Sequence, residues 1–81
     1  FAYAYNNKAW CLYQQGFHQE ALTNCDKSIS LDPENSWAYA NRAKIYFALN
    51  MNTKGCEDVN KAEKLKYPET EDLKTLKSKC G

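Results

Sequence analysis

The feature that most constrains this chain is a self-similarity with a spacing of 34 residues. Shifting the sequence by that spacing aligns identical residues: Ala4 with Ala38, Tyr5 with Tyr39, Asn7 with Asn41, Ala9 with Ala43, Lys27 with Lys61 and Leu31 with Leu65. A fixed period of roughly 20–50 residues indicates an array in which each copy folds as one supersecondary unit and packs on the next. The 81 residues therefore hold two copies of such a unit.

Each copy has the spacing of a helical hairpin. In the first copy, small and apolar residues recur in short helical steps, at Tyr5, Ala9 and Leu12 and again at Ala21, Cys25, Ser28 and Ile29. Such steps place side chains on one face of an α-helix. Gly16 separates the two stripes and permits a left-handed cap after the first helix, whereas Pro33 disfavours helix at Asp32. The first copy is therefore predicted to be two helices joined by a tight turn.

The second copy repeats this pattern with a different turn. Helices are predicted over 38–49 and 53–66, and Pro68 ends the second of them. Between these helices Asn50 and Asn52 replace the glycine turn, since asparagine tolerates the left-handed conformation better than most residues. The closest helix crossings are expected at small residues, Ala9 with Ala21 and Ala43 with Gly55.

A fifth helix is predicted after the second copy. Leu73, Leu76 and Cys80 lie at i, i+3 and i+7, which gives the segment one apolar face, and Thr70 is its predicted N-cap. We therefore predict an all-α fold of five helices in one domain. Its parts are residues 2–35, 36–68 and a terminal capping helix over 69–81, and we expect residues 1–81 to be a piece of a longer protein.

Charge and composition argue against several classes of function. Eleven Lys and Arg residues oppose ten Asp and Glu residues, so the formal charge is +1, and no basic block attracts nucleic acid or a membrane surface. No apolar run approaches the roughly 18 residues of a membrane span. His18 is the only histidine, and no serine or cysteine has a base at a suitable spacing, so we expect no enzyme activity. The charged residues of the second and fourth helices are expected to form a solvated convex face: Glu20, Asp26, Lys27, Glu57, Asp58, Lys61 and Lys64.

The four cysteines do not have the spacing of a zinc site. Zinc sites commonly place two cysteines roughly two to four residues apart, whereas Cys11, Cys25, Cys56 and Cys80 are 14, 31 and 24 positions apart. We therefore expect no metal or other cofactor. Cysteines often pack as small apolar core residues, and an even number also permits disulfides. If the last helix runs antiparallel to the fourth, Cys80 comes near Cys56, so core packing and a Cys56–Cys80 disulfide both stay open.

The chain resembles the tetratricopeptide repeat family, whose unit has W-x2-L-G-x2-Y followed by Ala, an aromatic residue, Ala and Pro at fixed positions. In the first copy the pattern falls on Tyr5, Lys8, Ala9, Leu12, Gly16, Ala21, Cys25, Ser28 and Pro33. In the second copy it falls on Tyr39, Arg42, Ala43, Tyr46, Gly55, Val59, Ala62 and Leu65. The departures are Lys8 and Arg42 for leucine, Cys25 and Val59 for the aromatic residue, and Tyr67 where the final proline belongs.

The resemblance implies a right-handed α-superhelix, or α-solenoid, that performs no chemistry and acts in protein–protein interaction. In this family the first helices of the repeats line a concave groove that holds a peptide or a helix of a partner protein. The groove residues implied by the aligned positions are Tyr3, Asn6, Asn7, Trp10, Tyr13, Gln14, Trp37, Asn41, Lys44, Phe47 and Ala48. Aromatic side chains dominate binding hot spots, and asparagine amides can bond to an extended backbone.

Two other interpretations stay open. In one of them the chain is the structural end of a longer array. In the other it is a homodimer unit that buries its aromatic surface against a second copy. Some family members clamp the C-terminal carboxylate of chaperone tails with basic and asparagine side chains. Asn41 matches one clamp position, but Asn6 and Trp10 replace a lysine and an asparagine, and Glu71 and Thr75 occupy the basic positions of the third helix. The resemblance therefore favours a general peptide groove over that clamp.

Overall fold

The computed structural model describes residues 1–80 and confirms an all-α architecture. Within these residues the chain forms five helices, α1 (Ala2–Gln14), α2 (His18–Leu31), α3 (Ser36–Ala48), α4 (Asn52–Lys64) and α5 (Glu71–Ser78). The pairs α1 with α2 and α3 with α4 form the two hairpins, and α5 packs on the second of them. Gly81, the last residue of the predicted terminal segment, lies outside the described residues.

The turns that end α1 and α3 have the left-handed residues expected from the sequence. Gly16 has φ of +89° and Asn50 has φ of 61°. At each turn the following amide closes the helix end: Phe17 N donates to Leu12 O at 2.9 Å, and Met51 N donates to Tyr46 O at 2.8 Å. These bonds satisfy carbonyl groups that a helix end leaves unpaired. Both hairpins are therefore closed by the same type of cap, built once on glycine and once on asparagine.

The helix α4 ends two residues earlier than the sequence predicts. Lys66 adopts φ of 70°, and Tyr67 N donates to Ala62 O at 3.0 Å, which forms a third cap of the same type. Pro68 does disfavour a continued helix, but the chain leaves the helical conformation before it reaches the proline. Nothing in the residue type of lysine predicts a left-handed conformation, so sequence reasoning placed this end too late.

Small residues occupy the helix crossings, as predicted. Ala9, Ala21 and Ala43 are fully buried. A Cβ atom added to Gly55 would lie 2.7 Å from Cε1 of Phe47, closer than carbon atoms pack in proteins. The ring of Phe47 on α3 thus lies so close to the backbone of α4 that only glycine fits beside it in its present position.

The prediction of a solvated convex face was wrong for one residue. Asp58 of α4 is buried, with 5% of its surface exposed, whereas the other charged residues of that predicted face are exposed. Arg42 of α3 donates from Nε to Asp58 Oδ2 at 2.7 Å and from Nη2 to Asp58 Oδ1 at 2.8 Å. Its Nη1 donates to Asp26 of α2 at 3.0 Å. The carboxylate is buried because a guanidinium stands at the position where the repeat pattern has leucine.

The cysteines fall into two groups. Cys56 at the start of α4 and Cys80 after α5 are joined by a disulfide, with their Cα atoms 5.6 Å apart. Cys11 is exposed with a free thiol, and Cys25 is buried between the hairpins, where its Sγ lies 3.3 Å from Ala38 O. Burial raises the pKa of the Cys25 thiol to about 12. A thiol held protonated in this way is unreactive and packs as a small core residue.

The remaining core consists of two clusters that α3 connects. Ile45 of α3 packs with Ala9, Ala21 and Cys25, while other residues of α3 pack with α4 and α5. Leu73 and Leu76 of α5 are almost completely buried in the second cluster, as the predicted apolar face requires. Thr70 caps α5 by accepting a hydrogen bond from Leu73 N at 3.4 Å, which confirms the predicted N-cap. None of the described helices has the length and apolar character needed to cross a membrane.

Candidate functional site

A groove of about 640 Å³ lies between α1, α3 and the segment that leads into α5. We call it the aromatic groove. Its lining residues are Tyr3, Asn6, Asn7, Trp10, Asn35, Trp37, Asn41, Lys44, Tyr67, Thr70 and Asp72. The first helix of each hairpin, α1 or α3, supplies most of one wall, because residues spaced by three or four positions along a helix share a face. Four of the lining side chains are aromatic and four are asparagines, and Lys44 and Asp72 are charged.

Most of the groove residues inferred from the sequence line this groove. They are Tyr3, Asn6, Asn7, Trp10, Trp37, Asn41 and Lys44. The structure brings them together because α1 and α3 lie side by side and present equivalent faces.

The other inferred residues do not line the groove. Tyr13 stacks on Trp10 with ring centroids 5.4 Å apart and approaches the ring of His18 at 5.5 Å, so it packs towards the turn of the first hairpin. Phe47 covers Gly55 and packs against the second core cluster. Gln14 and Ala48 are exposed at the last residues of their helices. The positions of Tyr13 and Phe47 have one feature in common: each lies near the C-terminal end of its helix and packs towards the turn or the second helix of its own hairpin.

Sequence reasoning missed Asn35, Tyr67, Thr70 and Asp72. Asn35 is the N-cap of α3, and its Oδ1 accepts from Trp37 N at 3.0 Å. The other three belong to the segment before α5 and its first turn. The sequence contained part of the information, because α5 lies where the first helix of a third repeat would lie. The positions on α5 that align with groove positions of the family, however, were Glu71 and Thr75. Neither of these lines the groove.

Two asparagines connect α1 to α3 across the floor of the groove. Asn41 Nδ2 donates to Asn6 Oδ1 at 3.0 Å, and Asn6 is buried. The Asn6 amide nitrogen and the Asn41 amide oxygen take part in no other hydrogen bond within residues 1–80. One hydrogen-bond donor and one acceptor therefore remain at the floor. The C=O and N–H groups of a peptide backbone are complementary to them.

Charge in the groove is concentrated on one cluster. Asp72 Oδ2 accepts from Tyr67 Oη at 2.7 Å and lies 3.0 Å from Lys44 Nζ. Lys44 Nζ also lies 4.7 Å from the centre of the Trp10 ring. Burial opposes ionisation of Asp72, but the hydrogen bonds from Tyr67 and Lys44 outweigh it and lower the pKa of the carboxyl group. Burial and the nearby carboxylate raise the pKa of Tyr67, so its hydroxyl stays protonated and donates. This cluster fixes α5 to α3.

The aromatic rings form the upper part of the walls. Trp37 meets Tyr67 edge to face with ring centroids 4.8 Å apart, yet 54% of Trp37 stays exposed. Tyr3 is still more exposed, whereas Tyr67 is buried. Tyr67 thus supports Trp37 from behind and holds Asp72 through its hydroxyl.

Little else in residues 1–80 resembles a chemical site. His18 lines a smaller cavity of about 340 Å³ at the turn of the first hairpin, with Phe17 and Leu49 among its neighbours. Its Nδ1 atom is buried without a hydrogen-bond partner. Among the described residues, no three His, Cys, Asp or Glu side chains converge as metal ligands would.

Comparison with known families bears on residues 2–63. Residues 2–35 match one family model described as a tetratricopeptide repeat, and residues 24–63 match a second model with the same description. Together the two matches span most of the chain. A comparison with curated proteins finds no match.

Proposed function

Because the chain belongs to the tetratricopeptide repeat family, whose members generally mediate protein–protein interaction and typically are not enzymes, we propose that it binds an extended peptide segment of a partner protein in the aromatic groove. The observation that carries the proposal is the lining of the groove, in which exposed aromatic rings surround amides that have unused hydrogen-bonding groups.

The geometry suits an extended backbone. A peptide that lies on the groove floor can accept from Asn6 and donate to Asn41, since these amides use only one group each on one another. Hydrogen bonds of this kind contribute about 0.5–1.5 kcal/mol each, and leaving a desolvated amide unpaired costs more. The two asparagines therefore favour a ligand with a regular row of backbone amides over a purely apolar one.

The rings supply the contact area. Rigid aromatic side chains lose little conformational entropy on binding, which is why they dominate hot spots. Trp37 is held by Tyr67 from behind, and Trp10 is held by Tyr13, so both rings are ordered before a ligand arrives. Preorganisation of this type raises affinity because less freedom is lost in the complex.

The test is selection of binders from a random peptide library on the immobilised chain, followed by calorimetry with the enriched peptides. Asn41→Ala and Trp37→Ala are expected to weaken binding by about ten-fold or more each, the size of a typical hot-spot loss. Phe17→Ala is the matched control, because Phe17 is as exposed as Trp37, at 52% against 54%, but lies at the hairpin turn outside the groove.

Enriched peptides that lose affinity with Phe17→Ala and keep it with Trp37→Ala would place binding elsewhere and end the proposal. Glu57→Ala serves as a second control on the exposed side of α4, which does not line the groove. A circular dichroism melt of each variant separates lost contacts from lost folding.

A further inference from the structure

The charge distribution of the aromatic groove indicates which peptides it accepts. We propose that the groove selects segments that carry a basic side chain, Lys or Arg, and that Asp72 determines this selectivity. The inference rests on the proposed function, because it names the chemistry of the ligand at that same site.

The cation in the groove is already neutralised. Lys44 is the one basic residue in the lining, and its ammonium group lies against the Asp72 carboxylate and over the Trp10 ring. Only 17% of the Lys44 side chain is exposed. An acidic peptide would have to displace Asp72 to reach this ammonium group, and would meet the repulsion of that carboxylate. Like charges brought together in this way are a common means of rejecting a wrong partner.

The anion, in contrast, is only half used. Both partners of Asp72 contact the same oxygen, Oδ2, and Oδ1 makes no hydrogen bond within residues 1–80. The Asp72 side chain is 41% exposed. Its lowered pKa keeps it ionised at neutral pH. A guanidinium or ammonium group from a ligand therefore finds an accessible carboxylate oxygen whose position is set by Tyr67 and Lys44.

The aromatic surroundings favour the same ligand. Cations are attracted to the faces of tryptophan and tyrosine rings. The groove contains an internal example, since Lys44 lies between the Trp10 ring and Asp72. A second tryptophan of the groove is linked to the same carboxylate through one tyrosine, since Trp37 contacts Tyr67 and Tyr67 bonds to Asp72. A basic side chain of a ligand would thus meet the same combination of ring and carboxylate, with Trp37 in place of Trp10.

The experiment uses the emission of the two tryptophans, because both line the groove. The probes are pools of random hexapeptides without Trp or Tyr, acetylated and amidated so that the termini carry no charge. One central position is fixed as Arg, Lys, Leu or Glu in each pool. The change in tryptophan emission is expected to reach half of its maximum at a concentration about ten-fold lower with the Arg and Lys pools than with the Glu pool. This ratio corresponds to about 1.4 kcal/mol. Raising the salt concentration is expected to reduce this ratio.

Two variants assign the selectivity to Asp72. Asp72→Asn keeps the shape and a hydrogen-bond acceptor for Tyr67 but removes the charge, so the ratio is expected to fall to about one to two. Lys44→Met removes the internal competitor, so the ratio is expected to rise. Glu57→Gln changes the net charge by the same amount as Asp72→Asn on the exposed surface of α4, and is expected to leave the ratio unchanged.

The outcomes separate this inference from the proposal on which it rests. Binding by every pool with no preference for Arg or Lys, or a preference that survives Asp72→Asn, would overturn the selectivity and leave the peptide groove standing. Binding by none of the pools would overturn both. A preference for basic pools that disappears with Asp72→Asn and grows with Lys44→Met would support both.

Discussion

Arg42 introduces a charge at a position where the repeat pattern has leucine, and the protein accommodates it with two carboxylates. The guanidinium bonds to Asp58 in the interior and to Asp26 at the surface, and it lies 5.5 Å from the Tyr39 ring and 5.6 Å from the Tyr46 ring. The hydrogen bonds that Arg42 donates to Asp58 raise the pKa of Arg42, so the side chain stays charged. One side chain thus connects α2, α3 and α4.

Arg42→Leu is expected to destabilise the fold by about 3–5 kcal/mol, although leucine is the residue of the repeat pattern. The reason is that Asp58 would be left buried without a partner charge. Urea unfolding followed by circular dichroism measures the loss. The double variant Arg42→Leu, Asp58→Leu is expected to recover most of it, because an apolar pair of similar volume removes both charges.

Asp26→Asn provides the comparison for this prediction. Asp26 has 53% of its side chain exposed, so its pair with Arg42 is worth no more than about 1 kcal/mol. A loss with Asp26→Asn as large as that of Arg42→Leu would mean that the surface bond, and not the buried one, holds the helices together.

The lowered pKa of Asp72 allows a prediction of how the stability of α5 packing depends on pH. Its folded pKa is lowered, so the folded state binds the proton less readily than the unfolded chain does. The stabilisation is therefore complete above the unfolded pKa of about 3.9 and is lost as the pH falls through the lowered folded value. The difference in unfolding free energy between the protein and Asp72→Asn is expected to be at most about 1 kcal/mol, since the carboxylate is partly exposed.

Thermal melts of both proteins at several pH values from about 7 to about 2 test this sign. The difference should stay constant down to about pH 5 and vanish near about pH 2. A difference that grows on acidification would mean that burial, not the bonds from Tyr67 and Lys44, dominates at this carboxyl group.

At the scale of the elements, the helix ends show how far sequence patterns reach. Gly16 and Asn50 were predictable as left-handed residues, because glycine lacks a Cβ atom and asparagine has a short polar side chain that tolerates that conformation. Lys66 was not, because it is forced to positive φ by the close return of the chain to Ala62 and by the burial of Tyr67, which are tertiary effects. The same return brings Tyr67 and Asp72 to the groove, so the missed helix end and the missed groove residues have one cause.

Lys66→Gly is expected to stabilise the protein by about 0.5–1 kcal/mol. Lysine pays a steric cost in the left-handed conformation that glycine avoids, and this gain exceeds the extra entropy of glycine in the unfolded chain. Glu57→Gly, in the exposed interior of α4, is the opposite control and is expected to cost about 1 kcal/mol. Urea midpoints that move in the same direction for both variants would contradict the structural assignment of the cap.

The disulfide between Cys56 and Cys80 is predicted to hold α5 on α4. Thiol titration without reductant is expected to find one reactive thiol in the folded protein, that of Cys11, and a second, that of Cys25, after unfolding. Cys80→Ser is expected to lower the unfolding free energy by about 2–4 kcal/mol, because the bond closes a loop of intermediate length. Since α5 carries Asp72, the same variant should weaken peptide binding.

Cys11→Ser is the matched control, and it should change neither stability nor binding because Cys11 is exposed and unpaired. Mass spectrometry is the direct measurement. Four free thiols in protein purified without reductant from an oxidising compartment would contradict the pairing.

At the scale of the molecule, the architecture could be predicted and the complete groove could not. A 34-residue period specifies which residues share a helix face, so the five helices and the walls supplied by α1 and α3 followed from the sequence. The third wall depends on where a short helix docks after an irregular turn, and periodicity carries no information about that. Asp58 shows the same limit, because its burial depends on Arg42, which replaces the leucine of the repeat pattern.

The oligomeric state of the protein decides whether the groove is available to a partner. Light scattering after size-exclusion chromatography is expected to give a monomer near 9.3 kDa at every protein concentration, with and without reductant. The reason is that the two α3-linked core clusters already bury the large apolar residues of α3, α4 and α5, while the exposed rings of Tyr3 and Trp37 lie at the groove rather than on a flat face.

A dimer would indicate that a second copy occupies these rings and would favour the self-association interpretation over peptide binding. Trp37→Ala then separates the possibilities, because it should dissociate a dimer formed through the groove and leave unchanged one formed through Phe17 or Leu31, which are exposed elsewhere. A dimer that disappears only with reductant would instead implicate Cys11, the exposed thiol, in a bond between two copies. A monomer under all conditions leaves the groove open to the peptide pools, and the loss of their preference for a basic side chain with Asp72→Asn then reports on Asp72.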